Sequence, residues 1–335
     1  MIAVDTPVRP EANEPPEARG DGRDDVALLV ASRHDGELRH ARFRDLPGFL
    51  EPGDLLVVNV SGTLAAAVDA RVAGERLELR LSTPLDDGTW LVELRGRDRA
   101  PHKPPASGTR VELPGGVEAR VVESGERFAT AELLLDGAVD HWLGRHGRPV
   151  RYGYVPDPWP IDAYQTVFAL EPGSVEMPSA ARPFTPELVT GLVARGVLFA
   201  PVVLHAGLSS PERREGPYPE RFRVPAASAR LVNAVRWWGG RVIAVGTTAV
   251  RALETVADRD GTVDAGEGWT NLVVTPERGL CAVDGLLTGW HEPESSHLQL
   301  LEAVTGPELL ARSYRAAVER GYLWHEFGDL HLVLP

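Results

Sequence analysis

The spacing of hydrophobic residues changes partway along the 335-residue chain, and this change limits the possible folds more than any other feature. Before about residue 150, apolar residues alternate with polar ones; Leu77, Leu79 and Leu81, for example, are separated by Glu78 and Arg80. A period of two predicts strands with one buried and one solvated face. Beyond about residue 164, short apolar runs alternate with segments of helical spacing. The chain therefore combines a β part with an α/β part.

Turn-forming residues divide the first part into short strands. Strands are predicted at Val26–Val30 and Asp54–Asn59, and further alternating runs follow, such as Val117–Val121. Asp86-Asp87-Gly88 and Pro114-Gly115-Gly116 are typical of the turns between such runs. We therefore predict an antiparallel sheet or small barrel over residues 62–150.

The second part alternates strands and helices. A helix is predicted to begin at Thr185-Pro186-Glu187, where a capping residue, a proline and an acid occur in the order typical of a helix start, and Leu188, Leu192 and Val193 should form its buried face. The segments that follow are a strand (Leu198–His205), a helix (Ala226–Trp238), a strand (Arg241–Val245) and a helix beginning at Gly246. This order predicts an α/β layer with mainly parallel strands.

Charge and residue usage exclude several classes of protein. With 35 Lys and Arg against 48 Asp and Glu, the formal charge is −13, so the chain as a whole does not present a strongly basic nucleic-acid-binding surface. Cys281 is the single cysteine, which excludes an intrachain disulfide and a thiolate zinc or iron–sulfur site. Lys103 is the single lysine and lies in a proline-rich turn, so neither a Walker-type phosphate loop nor a Schiff-base cofactor is expected.

We expect neither a targeting segment nor a membrane span in this sequence. Its first thirty residues contain prolines and acids where a secretory signal needs a basic start and an apolar run. No stretch approaches the ~20 apolar residues of a transmembrane helix. Together with the single cysteine, these features predict a cytoplasmic protein without a membrane partner.

Three predicted strands of the α/β part end in polar residues. These ends are His205 followed by Gly207, the Gly246-Thr247-Thr248 turn with Arg251 one helical turn later, and Thr288–His291. Ligands of open α/β sheets bind beyond the carboxyl ends of the strands, where adjacent ends form one crevice. Each feature also has a purely structural explanation, since a strand-end histidine is more often a hydrogen-bonded structural residue and Gly-Thr-Thr can simply cap a helix. Their joint occurrence favours a ligand site.

A metal site is the main alternative for the histidines. His291, His297, His325 and His331 occur near the C-terminus, but none has the His-Glu-x-x-His spacing, and Pro293 closely follows the first of them. The sequence also contains no Gly-x-Ser-x-Gly elbow and no Gly-x-Gly-x-x-Gly turn after a strand. We therefore expect no metal, and neither a serine hydrolase nor a dinucleotide-binding protein.

Several segments resemble one family, the S-adenosylmethionine:tRNA ribosyltransferase-isomerases (QueA) of queuosine biosynthesis. The most specific of them is Arg241–Arg251, which reads RVIAVGTTAVR. The other segments are Leu38–Asn59, Tyr164–Phe168, Gly173–Val175 with Pro178–Ala180, Val203–Gly207, Thr288–Ser295 and Phe327–Asp329. The resemblance therefore extends over nearly the whole chain.

The resemblance implies a layered α/β domain with mainly parallel strands, formed by residues 1–61 and 151–335, and an inserted antiparallel β-barrel domain over residues 62–150. It implies a transferase and isomerase that moves the ribosyl moiety of S-adenosylmethionine onto 7-aminomethyl-7-deazaguanine in tRNA. The products are epoxyqueuosine, adenine and methionine. S-adenosylmethionine is then a co-substrate, tRNA is the partner, and no other cofactor and no metal is implied.

The resemblance also suggests roles for individual residues. His205 and His291 suit proton transfer near neutral pH, and Glu220 is a further catalytic candidate that also suits an ammonium group. The expected substrate-binding residues are Tyr164, Gln165, Ser179, Gly207, Gly246, Thr247, Thr248, Arg251 and Thr288. The threonine hydroxyls and the arginine of this set suit ribose hydroxyls and a carboxylate or phosphate.

The sequence departs from the family pattern at positions that are expected to face the substrate. Ala181-Arg182-Pro183-Phe184 replaces Gly-Leu-His-Phe, Asn59-Val60-Ser61-Gly62 replaces Asn-Asn-Thr-Arg, and Ser209-Ser210-Pro211 replaces Gly-Thr-Phe. Two alternative functions follow from these departures. One is a paralogue that uses S-adenosylmethionine with a different acceptor, such as a small molecule. The other is a non-catalytic protein of the same fold that binds a nucleoside or RNA.

Overall fold

A computed structural model describes residues 10–96, 98–209, 218–291 and 296–335, with Ser296 described by its backbone only. Its strands are β1 (Ala27–Ser32), β2 (Leu38–Arg42), β3 (Leu55–Asn59), β4 (Ser61–Thr63), β5 (Ala67–Val72), β6 (Glu75–Pro84), β7 (Trp90–Arg95), β8 (Pro101–His102), β9 (Arg110–Glu112), β10 (Glu118–Ser124), β11 (Phe128–Leu134), β12 (Glu171–Ser174), β13 (Leu198–Leu204), β14 (Glu220–Val224), β15 (Val242–Val245), β16 (Gly266–Thr270), β17 (Gly285–Gly289) and β18 (Leu330–Leu334). Its α-helices are α1 (Val139–His146), α2 (Pro186–Ala194), α3 (Ala226–Trp237), α4 (Thr247–Val256), α5 (Ser296–Thr305) and α6 (Pro307–Glu319). Short 3-10 helices are formed by Pro16–Arg19, Phe43–Gly48, Pro114–Gly116, Ile161–Tyr164 and Ser179–Ala181. Ser210, Pro211 and Glu292–Ser295, which the sequence analysis also considered, lie outside the described residues.

The larger sheet is mixed, with parallel strands at its centre. Among the described residues, its strand order is β16-β14-β13-β3-β15-β17-β18-β1-β2. The four central strands β13, β3, β15 and β17 pair parallel, in that order, and β18 pairs parallel with β1. The remaining pairs are antiparallel. β2 and β14 each follow their antiparallel neighbour directly in the chain, and such a pair needs no crossover helix. The predicted α/β layer is confirmed, with antiparallel strands added to its parallel centre.

The strands between β4 and α1 form a closed barrel. In the described part of this segment, β5, β6, β7, β11, β10 and β9 pair antiparallel in a ring, because β11 pairs with β7 and β9 pairs with β5. β8 adds to β7, and β4 pairs parallel with β12 in a separate small sheet. The predicted antiparallel barrel is therefore confirmed. The domain boundaries proposed at residues 61/62 and 150/151 stay a prediction.

The prediction that Arg80 lies on a solvated face of β6 is wrong. Its side chain is 2% exposed, pairs with Glu78 at 2.7 Å and donates to the carbonyl of Arg151 at 3.0 Å. The second face of β6 is thus covered by the chain that leaves the barrel. Alternation along β6 separates an apolar buried face from a charged face on which Arg80 is buried and Arg76 is exposed.

Glu93 is the centre of this buried charged layer. Its carboxylate pairs with Arg95 at 2.8 Å and with Arg127 at 2.7 Å, and all three side chains are at least nine-tenths buried. Arg127 also donates to the carbonyl of Ser209, beyond the end of β13, at 2.7 Å. The charged layer therefore connects the barrel to the segment that follows β13 of the larger sheet.

The helices follow the predicted caps closely. Thr185 caps α2, because its hydroxyl accepts the N–H of Leu188 at 3.1 Å, and Pro186 occupies the first turn. Leu192 is buried as expected, but Val193 is 56% exposed, so its predicted place on the buried face is wrong. Residues four apart share a helix face, whereas the next residue is rotated away from it. None of the helices within the described ranges is long and apolar enough to cross a membrane.

Candidate functional site

The carboxyl ends of β13, β3, β15 and β17 lie side by side, because these strands are adjacent and parallel. Asn59, the last residue of β3, joins its neighbours. Its side-chain nitrogen donates to the Leu204 carbonyl at 2.8 Å and to Thr248 Oγ1 at 3.3 Å, and its side-chain oxygen accepts the N–H of Leu204 at 3.1 Å. The predicted polar strand ends therefore converge, and we call this edge the strand-end crevice.

His205 follows β13 and is hydrogen-bonded to Ser61, which is hydrogen-bonded to Ser174. Its Nδ1 lies 2.7 Å from the hydroxyl of Ser61, which lies 2.7 Å from the hydroxyl of Ser174. Ser174 Oγ in turn accepts the N–H of Ala206 at 3.0 Å and donates to the Leu204 carbonyl at 3.4 Å. The imidazole is thus the end of a chain of hydrogen bonds that starts on the backbone of β13.

This chain of hydrogen bonds is compatible with the Nδ1–H tautomer of His205. When the hydroxyl proton of Ser174 serves the 3.4 Å contact with the Leu204 carbonyl, Ser61 donates to Ser174 and accepts from Nδ1–H of the imidazole. In that arrangement Nε2 carries the lone pair. Burial lowers the pKa of His205, and the charge of Arg221 lowers it further, so the ring is neutral near pH 7 and able to accept a proton.

Two glycines, Gly173 and Gly207, allow close contacts near the end of β13. A Cβ on Gly173 would lie 2.3 Å from Nδ1 of the imidazole, so only glycine leaves room for the ring in this position. A Cβ on Gly207 would lie 3.0 Å from Ser82 Oγ and 3.1 Å from Thr83 Oγ1. The groups that approach Gly207 are therefore hydroxyls of the barrel, and β6 forms one wall beside the crevice.

Glu220 and Arg251 join β14 to α4 through an ion pair. Arg251 Nη1 donates to Glu220 Oε2, and Glu220 Oε1 accepts the N–H of Gly207 at 2.9 Å. Arg251 Nε donates to the carbonyl of Leu272 at 3.0 Å, whereas Nη2 is buried without a hydrogen-bond partner in the described part of the chain. The guanidinium is held in place on two sides, and its Nη2 is a donor whose hydrogen bonds the described residues do not supply.

The Gly246-Thr247-Thr248 turn begins α4 directly after β15. Gly246 has φ +89°, a conformation that favours glycine, and the side chain of Thr247 is buried. The first backbone N–H groups of a helix carry partial positive charge and point toward any ligand placed there. Thr248 Oγ1 accepts the amide hydrogen of Asn59 and can donate its own proton to a second group.

Ser179 lies against this edge from another segment. It begins the 3-10 turn Ser179–Ala181, which packs over the ends of β15 and β17. A Cβ on Gly289 would lie 3.9 Å from Ser179 Oγ, and a Cβ on Gly246 would lie 3.6 Å from Ala180 Cβ. Ser179 is therefore brought together with the predicted residues of the two strand ends.

His291 follows β17, where its Nε2 lies 3.0 Å from Thr288 Oγ1 and its carbonyl accepts from the Tyr314 hydroxyl at 3.2 Å. His297, considered in the sequence only as a metal ligand, lies beside it with the ring centroids 4.5 Å apart. Burial lowers the pKa of His291 well below its usual value, and burial together with the charge of Arg251 lowers the pKa of His297 to about 4. Both rings are neutral near pH 7.

Two carboxyl groups without a sequence signal lie beside the crevice. Glu176 Oε1 accepts from the Tyr152 hydroxyl and, at 2.7 Å each, from the backbone and hydroxyl of Ser209. Glu326 hydrogen-bonds the Tyr154 hydroxyl, and burial raises its pKa to about 7. Burial also raises the pKa of Glu176. No local pattern marks either residue, because their partners come from distant segments.

Tyr164 and Gln165 contact β4 rather than the strand ends. The amide oxygen of Gln165 accepts the N–H of Thr63 at 3.0 Å, and its amide nitrogen donates to the carbonyl of the same residue at 2.8 Å. Tyr164 is buried against Phe327, with ring centroids 5.1 Å apart, and its carbonyl accepts from the Thr63 hydroxyl at 2.7 Å. A substrate-binding role for these two residues stays a prediction.

Arg182, at one of the departures from the family pattern, is accommodated inside the protein. Its side chain is 2% exposed and pairs with Glu17 at 2.9 Å. Its Nε donates to the Ala163 carbonyl at 2.9 Å, and its guanidinium lies 5.0 Å from the centre of the Phe327 ring. This departure is part of the framework under the N-terminal segment.

No group of three or more His, Cys, Asp or Glu side chains arranged to hold a metal ion occurs in the described ranges of the chain.

Comparison with known proteins finds one matching family and relatives that align over nearly the whole chain. The family described as "Queuosine biosynthesis protein" matches residues 4–333. An S-adenosylmethionine:tRNA ribosyltransferase-isomerase of Symbiobacterium thermophilum is 37% identical over 327 residues, which cover 93% of this chain and 94% of that protein. The protein of the same name from Thermotoga maritima is 35% identical over 331 residues, covering 96% of each.

A solved structure is similar to this chain over almost the full length of both. The crystal structure of an S-adenosylmethionine tRNA ribosyltransferase from Thermotoga maritima matches 98% of this chain and 98% of its own, with 29% identity and a TM-score of 0.54. The match spans both the barrel and the larger sheet. On the extent of the family match and the identity to full-length relatives, this chain belongs to the queuosine biosynthesis protein family.

Proposed function

We propose that this protein transfers and isomerises the ribosyl moiety of S-adenosylmethionine onto 7-aminomethyl-7-deazaguanine in tRNA, giving epoxyqueuosine and releasing adenine and methionine. Its family and the shared name of its relatives support this function. The structural observation that carries the proposal is the chain of hydrogen bonds from Ser174 through Ser61 to His205 at the strand-end crevice.

The proposed reaction needs a base for the hydrogen on the ribose carbon next to the sulfonium, which that positive charge acidifies. His205 suits this role, because Nδ1–H is bonded to Ser61 and Nε2 is free to accept the proton. Departing adenine needs a hydrogen-bond donor or an acid. His291, which is neutral near pH 7 and bonded to Thr288, is the residue that we assign as the hydrogen-bond donor on that side of the reaction.

The remaining groups suit binding of S-adenosylmethionine. Nη2 of Arg251 is complementary to the methionine carboxylate, and its partner Glu220 is complementary to the ammonium group. Thr248 and the N-terminus of α4 offer donors to the ribose hydroxyls. In this arrangement the co-substrate lies across the ends of β13 to β17, and bound groups held in one geometry lower the entropic cost of reaction.

The proposal requires no cofactor beyond S-adenosylmethionine as co-substrate. The methionine and adenine released are both derived from it, so the reaction needs no external oxidant or reductant. We also propose a cytoplasmic location, because the tRNA acceptor is a cytoplasmic molecule.

Incubation of the protein with S-adenosylmethionine, with and without tRNA that carries the deazaguanine precursor, tests the function. We expect adenine and methionine to be released in equal amounts only in the presence of that tRNA, and epoxyqueuosine to appear in the RNA. Release that depends on a small-molecule acceptor instead of tRNA would establish the paralogue alternative. Binding of S-adenosylmethionine without any turnover under either condition would establish the non-catalytic alternative.

A further inference from the structure

A groove of about 660 Å³ on the barrel is rich in arginine although the chain as a whole is acidic. The arginines that line it are Arg71, Arg76, Arg99, Arg148 and Arg151. Its acidic lining residues are Asp69, Glu78 and Glu112, and the first two pair with Arg148. We call this surface the arginine groove. The local excess of positive charge contrasts with the net charge of −13 and calls for a physical explanation.

Arg71 and Arg76 lie directly opposite each other on β5 and β6. Like charges in this position destabilise a strand pair. Both side chains are exposed, and neither has an ion pair or side-chain hydrogen bond within the described residues. Arg71 also lies opposite Glu112 of β9, so one carboxylate is close to this pair of guanidinium groups, but no ion pair joins it to either arginine among the described residues.

In a second arginine pair of the barrel, each arginine forms an ion pair with a glutamate. Arg110 and Arg120 are opposite each other on β9 and β10. Arg110 pairs with Glu118 at 3.0 Å, and Arg120 pairs with Glu132. The arginines of that pair thus have ion pairs, whereas Arg71 and Arg76 of the arginine groove have none among the described residues.

Arg99 and Arg151 add two further cations without carboxylate partners among the described residues. Arg99 donates to the carbonyls of Tyr152 and Val155, both at 3.2 Å, and Arg151 donates to the carbonyl of Pro156 at 2.7 Å. Carbonyl contacts hold a guanidinium in place without cancelling its charge. Burial lowers the pKa of Arg151, and the charge of Arg99 lowers it further, as expected for cations held near one another.

The chain segment beside the groove also contacts residues near the strand-end crevice. The chain that leaves the barrel runs along it, and Arg99 is bonded to the carbonyl of Tyr152 in that segment. The hydroxyl of Tyr152 donates to Glu176, which also holds Ser209 beyond the end of β13. One short segment is therefore shared by the arginine groove and the proposed catalytic site.

We propose that the arginine groove binds the phosphodiester backbone of the RNA substrate, so that the acceptor base reaches the strand-end crevice. This inference rests on the proposed function. Arginine forks match phosphate oxygens, and a phosphate placed between Arg71 and Arg76 would contact both guanidinium groups, neither of which has an ion pair among the described residues. A contact of this kind positions the RNA without reading its sequence.

The test compares Arg71→Gln/Arg76→Gln with Arg110→Gln/Arg120→Gln, two variants that remove the same charge from the same barrel. Affinity for the precursor-carrying tRNA is measured against salt concentration, and affinity for S-adenosylmethionine and the melting temperature are measured in parallel. We expect the groove variant to bind tRNA about 10-fold more weakly than wild type at low salt. Its slope of log affinity against log salt should be smaller by about 1.5, because each lost phosphate contact removes ~0.7–0.9.

The control variant should keep the affinity and the salt slope of the wild type, and both variants should keep their affinity for S-adenosylmethionine. Equal tRNA affinities for the two variants would overturn the groove assignment, even if the wild-type protein modifies tRNA. A wild-type protein without affinity for tRNA would also overturn it. In that case, adenine release with a small-molecule acceptor would show separately that the protein is an enzyme with another substrate.

Discussion

The hydroxyl of Ser61 lies 2.7 Å from Nδ1 of His205, and the direction of this hydrogen bond decides which ring nitrogen can accept a proton. Ser61→Ala removes the acceptor for Nδ1–H. We expect turnover to fall about 5- to 30-fold with little change in affinity for S-adenosylmethionine, since an orienting hydrogen bond is worth ~1–2 kcal/mol. Nitrogen-15 NMR of the imidazole should show a shift from the Nδ1–H tautomer to a mixture. Ser228→Ala, which removes another buried serine hydroxyl, is the control and should leave the spectrum of His205 unchanged.

Replacement of each crevice histidine by glutamine separates proton transfer from structure. We expect His205→Gln to lower the rate of adenine release ~10²- to 10⁴-fold with the fold unchanged, because that is the usual contribution of general acid–base catalysis. His291→Gln removes a neutral imidazole that can donate only a hydrogen bond, and we expect it to lower the rate less. The larger loss is expected for His205, whose Nε2 is the free acceptor. A histidine with a purely structural role would lower the melting temperature and leave the rate per folded molecule intact. Near-normal rates in both variants would make Glu220 the next candidate.

Thr248→Ala should weaken binding of S-adenosylmethionine more than it slows the reaction. The hydroxyl accepts from Asn59 at 3.3 Å and has one proton left for a ligand, so we expect a loss of about 1 kcal/mol in binding, or roughly fivefold in Kd. Calorimetric titration measures this change. Thr248→Ser should restore the affinity, and Thr190→Ala, at an exposed threonine of α2, should not alter it. An unchanged Kd in Thr248→Ala contradicts the assignment of this hydroxyl to the ligand.

The buried carboxylate of Glu93 should be essential for the stability of the barrel. Glu93→Gln removes the carboxylate that buried Arg95 and Arg127 share, and we expect the free energy of unfolding to fall by about 3–5 kcal/mol. Denaturant titration measures the loss. Glu132→Gln, which breaks an exposed pair with Arg120 on the same barrel, should cost under ~1 kcal/mol. Equal losses in the two variants would show that the buried layer contributes no more than a surface ion pair.

Acid should destabilise the protein partly through His331. Burial lowers the pKa of this histidine from 6.5 to about 3, so below pH 6.5 the unfolded state binds a proton that the folded state does not. Above pH 6.5, neutral His331 does not lower the free energy of unfolding. Between pH 6.5 and 3, this free energy falls by up to ~1.4 kcal/mol per pH unit because of His331. In His331→Phe, the free energy of unfolding should depend less steeply on pH across this window. An unchanged slope would mean that the group titrates alike in both states.

Much of the fold could be predicted from local patterns. The α2 start at Thr185 follows from its capping chemistry, which involves residues three apart. The strand predicted at Leu198–His205 is observed at Leu198–Leu204, because a run of apolar residues bounded by polar ones needs no distant information. The burial of Arg80 could not be predicted, since it depends on the chain that packs over β6 after leaving the barrel.

The sequence by itself determined the start of α2, the apolar run of β13, and which polar residues follow the apolar strands: His205, Thr248, Arg251 and His291. Only the tertiary structure decided what these residues touch. Ser61 and His205 are 144 residues apart in the chain, and their contact exists because β3 and β13 are neighbours in the sheet. Strand order and barrel packing leave no periodic trace in a sequence. They nevertheless decide the hydrogen-bond partners, and the burial, that give each side chain its protonation state.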